Sequence, residues 1–220
     1  MLASNLLDPE HLIKVFGLLG IFAIVFAESG LLIGFFLPGD SLLFTAGAIS
    51  AGVFANTNGP LKGIEFNYFV VVLGVFIAAV AGDQAGYVFG LKVGPSLFRR
   101  PNSRFFKHEH LEKAQGFFDR HGPKAIILAR FVPIVRTFTP VVAGAGKMHY
   151  STFVRYNVVG GFLWGVGITT LGYFFGQIPV VRDNIEVALI GIVLFSLLPV
   201  LFEVVRHRRQ ANGSQADAAG

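Results

Sequence analysis

The chain has 220 residues, 53% of them hydrophobic and only 14% charged, with no cysteine and a formal net charge of +5. Soluble domains carry roughly 25% charged residues, so this balance excludes an ordinary water-soluble fold and places the chain among integral membrane proteins of one domain. Without cysteine there is no disulfide, thiolate nucleophile or Cys-held metal; the positive balance is no nucleic-acid signal, because the basic residues fall between apolar stretches, where they set topology.

Residues 1–11 form a polar lead, with Asp8 and Glu10 where a signal peptide would carry basic residues. The membrane domain is expected over 12–205. Leu12 to Phe36 is one apolar run interrupted only by Lys14 and Glu28. Pro38-Gly39-Asp40 is a turn signal. The apolar return from Ser41 to Val53 falls short of the roughly 20 residues that a crossing requires. The pattern predicts a re-entrant helical hairpin over about 16–53. After a polar loop at 55–67, residues 68–90 are long enough to span. They carry Asp83 inside Gly82-x-x-x-Gly86-x-x-x-Gly90, a spacing of small residues that lets helices approach closely.

Residues 91–124 form a basic loop with Lys92, Arg99, Arg100, Arg104, Lys107, Lys113, Arg120 and Lys124. Within it, 107–121 reads as an amphipathic helix for the membrane interface, or else as a solvated connector. The next stretch, AIILARFVPIVRTFTPVVAGAG from Ala125 to Gly146, is apolar yet holds Arg130, Pro133, Arg136 and Pro140. A guanidinium at bilayer depth costs about 2.5–3.5 kcal/mol on insertion scales, so two of them between helix-breaking prolines need a reason. Glu28 and Asp40 in the first broken segment supply one. Spans are expected at 153–177 and 185–205, followed by a basic, disordered tail at 206–220 opening with Arg206-His207-Arg208-Arg209.

The basic blocks at 92–124 and 206–209 both belong on the cytoplasmic side. With two spans after the arginine stretch, that holds only if residues 125–147 enter the membrane and return. The fold expected is therefore all-α and polytopic, with two re-entrant hairpins and about three full spans, the C-terminus cytoplasmic and the first hairpin entering from outside. A weak internal repeat agrees: Phe36-Leu37-Pro38 returns as Phe131-Val132-Pro133, Ala46-Gly47-Ala48 as Ala143-Gly144-Ala145, and Gly86-Tyr87-x-x-Gly90 as Gly172-Tyr173-x-x-Gly176. Halves entering from opposite faces make an inverted-topology repeat, the architecture of many secondary transporters.

Phe26-Ala27-Glu28, Phe36-Leu37-Pro38-Gly39-Asp40-Ser41, Gly82-Asp83-x-x-Gly86-Tyr87-x-x-Gly90 and Arg130-Phe131-Val132-Pro133-x-x-Arg136-x-x-x-Pro140-x-x-Ala143-Gly144 together resemble the DedA family, also called SNARE-associated or VTT-domain membrane proteins. The resemblance covers about residues 12–205. It implies a bacterial cytoplasmic-membrane protein with two facing re-entrant hairpins. It also implies dependence on the proton motive force and movement of phospholipid or polyprenyl-phosphate carriers between leaflets. The family's functional acidic and basic positions fall on Glu28, Asp40, Arg130 and Arg136.

Chemically, Arg130 and Arg136 are expected to bind a lipid phosphate, since a guanidinium fork matches phosphate oxygens and stays charged. Glu28, Asp40 and Asp83 are the proton-coupling candidates: a carboxylate that loses its arginine to the substrate takes up a proton more readily. Pro38, Gly39, Pro133 and Pro140 are expected at the hairpin turns. The plainer alternative is that the arginines only pair with Glu28 and Asp40 to hold the hairpins together, with Asp40 acting as the N-cap of a helix over 41–52. Asp83 could equally serve a neighbouring helix. Tyr87, Trp164 and Tyr173 read as packing or interface residues, Lys147 and His149 as interface anchors. Undecaprenyl phosphate is the preferred cargo, because two arginines suit a monoester; phosphatidylethanolamine stays open. A lipid-phosphate enzyme would need a nucleophile and base, and His11, His108, His110, His121, His149 and His207 all lie outside the apolar segments. No enzyme activity, cofactor, metal or nucleic-acid partner is expected; a homo-oligomer and a purely structural membrane protein stay open.

Overall fold

A computed structural model describes residues 9–31, 37–55, 61–97 and 122–179, and all regular structure among them is helical. The helix expected at 107–121, the span at 185–205, the tail from 206 and most of the N-terminal lead lie outside the described residues.

Helix α1 runs Pro9–Gly30 but is broken at Gly17, whose φ of 58° and ψ of −151° suit glycine. Its apolar part is therefore only Phe16–Gly30, where the sequence reads as one long run. Helix α2 is Gly39–Ser50 and α3 is Tyr68–Leu97. A 3-10 turn at Gly122–Lys124 leads into α4, Ala125–Ala129. The chain breaks at 130–132, with Val132 extended (φ −116°, ψ 106°), and α5 follows over Pro133–Ala145. Helix α6, Tyr150–Gly161, continues through a π-helical turn, Phe162–Val166, into α7, Gly167–Gly176. Two helical stretches are long and apolar enough to cross a membrane, Tyr68–Val93 and Tyr150–Gly176. At 1.5 Å per residue, α2 and α5 reach only about 18–20 Å, against a hydrocarbon core of roughly 30 Å. Phe69, Leu73, Ile77, Leu171 and Phe174 on the long helices are exposed, as lipid-facing positions should be.

Close packing fixes the helix directions. A Cβ added at Gly74 would meet the Phe22 ring, at Gly82 the Phe26 carbonyl and at Gly86 the Gly30 carbonyl. The partners advance together, so α1 and α3 run parallel, and α3 starts at the end where α1 began. Along α3 and the α6–α7 helix the pairing reverses. Asn157 donates to the Val80 carbonyl (3.2 Å), the Phe162 and Phe76 rings meet (6.2 Å between centroids), and Thr170 hydrogen-bonds Tyr68 (2.7 Å). These helices are antiparallel, so α6 starts at the end where α3 finishes. Tyr87 stacks on Phe153 at that end (4.5 Å) and donates to the Met148 carbonyl.

The two short helices pack in matching ways. Gly47 of α2 lies against the Thr169 carbonyl and Tyr173 nitrogen, while Gly172 lies against the Phe44 carbonyl. Gly144 of α5 lies against the Tyr87 carbonyl and Leu91 nitrogen, while Gly90 lies against the Val141 carbonyl. Gly47 is thus the counterpart of Gly144, as the Ala-Gly-Ala repeat predicts. The span part of the repeat is one helical turn out: Gly90 matches Gly172, not Gly176. Glycines four apart are interchangeable in sequence, and the point of closest backbone approach selects between them.

Candidate functional site

The breaks in the apolar segments converge. Glu28 sits in the last turn of α1, fully buried, and its Oε1 accepts from Arg136 Nη2 near the start of α5. Asp40, in the first turn of α2, accepts at Oδ1 from Arg136 Nη1 (2.9 Å) and from Trp164 Nε1 (2.8 Å). One guanidinium therefore holds both carboxylates of the first broken segment. Asp40 caps no helix: α2 starts at Gly39 without a side-chain cap, and the carboxylate is occupied by Arg136 and Trp164. Gly39 lies against Glu28, and a Cβ there would land on Glu28 Oε2.

Arg130 makes a separate set. Its Nη2 donates to Asp83 Oδ2, to Asn157 Oδ1 (2.6 Å) and, at 3.5 Å, to the Ala79 carbonyl. Gly160 and Gly161 leave the slot in which its side chain lies: a Cβ at Gly160 would approach Arg130 Cδ to 2.9 Å. Neither Glu28 nor Asp40 pairs with Arg130. The centre brings together all five candidate ionisable groups, with Asp83 a full member through Arg130. Three carboxyls and two guanidiniums carry formally one negative charge.

Of the expected turn residues, Pro38 caps α2 and Pro133 opens α5, each next to a break. Pro140 is no turn residue; it lies inside α5, buried beside Gly86. Lacking an N–H, it leaves the carbonyl of Arg136 without its usual i+4 donor.

Trp164 joins the two sets. The Arg136 guanidinium lies 4.7 Å and that of Arg130 5.9 Å from its ring centroid, within cation–π range. It is 1% exposed and belongs to the π-helical turn. In sequence Trp164 reads as a packing or interface residue, and Asn157 does not stand out. Two signals were there to use. This tryptophan falls mid-span, away from the interfaces where the residue concentrates, and an amide inside a span needs a polar partner.

Several buried polar atoms find no hydrogen-bond partner among the described residues: Arg130 Nε and Nη1, Arg136 Nε, Glu28 Oε2 and Asp83 Oδ1. Among the described residues Arg130 thus pairs only through Nη2, leaving Nε and Nη1 as donors, and Arg136 pairs through both terminal nitrogens, leaving Nε. Holding such a cluster out of water costs several kcal/mol per ion before pairing offsets it.

The VTT domain family matches residues 37–174. Protein DedA of Escherichia coli K12 is 46% identical over 205 residues, covering 93% of this chain and 89% of that protein. Membrane protein ML0287 of Mycobacterium leprae is 41% identical over 214 residues (97% and 91%), and membrane protein Rv0364 of Mycobacterium tuberculosis H37Rv is 43% identical over 220 residues (97% and 92%). No solved structure matches the chain significantly. With a family match over more than half its length and relatives aligned almost end to end, the chain is a membrane protein of the DedA (VTT-domain) family.

Proposed function

We propose that this protein is a proton-coupled transporter that carries a phosphate-bearing lipid across the bacterial cytoplasmic membrane, with undecaprenyl phosphate as its cargo. The observation that carries this reading is the buried centre itself: two guanidiniums with free N–H donors among three carboxyls, at breaks in the helices. A phosphate monoester takes the free donors of Arg130 and Arg136, and protons taken up by Glu28, Asp40 or Asp83 offset the charge it brings. The formal excess of one carboxylate leaves room for a proton on the centre before any substrate arrives.

The helix directions support two re-entrant hairpins, one either side of this centre. Parallel α1 and α3 fit an α1–α2 excursion that enters and leaves at one face, and antiparallel α3 and α6–α7 fit an α4–α5 excursion from the other. With the basic loop inside, the second hairpin opens to the cytoplasm. There a groove of about 510 Å³, lined by Pro123, Ile127, Thr152, Arg155, Tyr156 and Val159, offers a cationic approach for a headgroup. Ile127 also borders the Gly160 slot of Arg130.

A purely structural reading draws on the fact that Arg136 uses both terminal nitrogens to tie α1 and α2 to α5. Proteoliposomes separate the readings. Wild-type protein should move a fluorescent polyprenyl phosphate between leaflets, faster with a pH gradient than without. Movement of phosphatidylethanolamine alone would replace the cargo, and movement of neither lipid would leave the structural reading standing.

A further inference from the structure

We propose that Trp164 is the positioning residue that couples a proton on Asp40 to an anion at the arginines; its transport consequence rests on the function proposed above. Of the three carboxyls, Asp40 is the most exposed, its side chain 18% exposed against 0% for Glu28 and 4% for Asp83. Its Oδ1 receives two donors at once, the Arg136 guanidinium and the indole N–H. A proton on Asp40 weakens both hydrogen bonds. The indole is rigid, so a change at its N–H moves the ring, and the ring lies against both guanidiniums.

Five charged groups surround this indole or its partners: Glu28 from α1, Asp40 from α2, Asp83 from α3, Arg130 from the 130–132 break and Arg136 from α5. The Arg136 set and the Arg130 set share no hydrogen bond among the described residues, and Trp164 touches an arginine from each. The π-helical turn that carries it is a second observation, since such turns recur at functional sites. An anion on the free donors of either arginine would pull that guanidinium from the ring and reach Asp40 by the same route in reverse.

Trp164 is the only tryptophan in the chain, so its emission reports the centre directly. In purified wild-type protein, emission should change as the pH is lowered. Asp40→Asn should abolish that change. A short-chain prenyl monophosphate should alter wild-type emission and displace the midpoint of the pH response. Emission that ignores pH, or follows pH equally in Asp40→Asn, overturns the proposal.

The second arm uses Trp164→Phe, which keeps an aromatic face and removes the N–H. Folded Trp164→Phe protein should still move lipid in proteoliposomes, at one rate with or without a pH gradient. Wild-type gradient dependence in this variant overturns the coupling role. So does complete loss of movement, because the N–H would then serve movement itself. If wild-type protein moves no lipid, the transport reading fails, and the fluorescence arm still decides whether Trp164 links Asp40 to the anion site.

Discussion

Arg136 Nη1 lies 2.9 Å from Asp40 Oδ1, joining the first turn of α5 to the first turn of α2 across 96 residues. The same guanidinium reaches Glu28 through its other terminal nitrogen and lays its face on Trp164. A planar fork does all three in one fixed geometry; the compact ammonium of lysine has neither the planar face nor the spread of donors to reproduce it.

Arg136→Lys should therefore abolish transport while keeping the charge. Arg136→Ala should also destabilise the fold by about 3–5 kcal/mol, the usual cost of leaving buried partners unpaired. Thermal unfolding in detergent, run beside a translocation assay, checks both. Wild-type stability in Arg136→Ala would mean that the ion pairs tie nothing together.

Gly39→Ala tests how tightly the first break is built. The added Cβ would occupy the position of Glu28 Oε2, so Glu28 must leave Arg136 or α2 must shift. Transport should fall to background although no charged group has changed. Ala46→Gly, which removes a methyl deeper in α2, serves as the control and should stay active.

Asn157 should matter for stability. It accepts from Arg130 and donates to the Val80 carbonyl. Asn157→Leu strands both partners in a buried site and should cost about 1–3 kcal/mol in thermal or chemical unfolding. A neutral result would show that Arg130 finds another acceptor.

Topology can be read chemically because the native chain has no cysteine. Glu65 and His149 are both exposed, at opposite ends of the α3 bundle. In intact cells a membrane-impermeant thiol reagent should label Glu65→Cys from outside, and His149→Cys only after the membrane is opened. Labelling of both from one side would contradict the paired re-entrant hairpins.

The matched glycine contacts give a further test. Gly47→Val and Gly144→Val each force a side chain into backbone, where overpacking typically costs about 1–3 kcal/mol. The two should destabilise by similar amounts. A large effect at one and none at the other would break the equivalence of α2 and α5.

The all-helical class and the two long apolar helices among the described residues were legible because they rest on length and apolar composition alone. The breaks near Pro38 and Pro133 were legible because proline acts locally. Pro140 was misplaced because a proline within a helix looks the same in sequence as one at a turn. Gly17 passed unnoticed, since one glycine in an apolar run gives no sign that its φ is positive. The charged residues of the centre stood out because ionisable groups in apolar segments are costly. Their pairing did not, because Arg130 and Arg136 are equivalent until α3 and α6 place Asp83 and Asn157 beside the first alone. Trp164 carries no charge, and only the fold shows both arginines on its ring.

The most direct measurement of the central claim is translocation of a fluorescent polyprenyl phosphate in proteoliposomes under an imposed pH gradient, comparing wild type with Glu28→Gln and Arg136→Lys. Gradient-driven movement by wild type, absent in both folded variants, is the predicted result. Equal movement by all three proteins would contradict it, because the buried centre would then play no part in carrying the lipid.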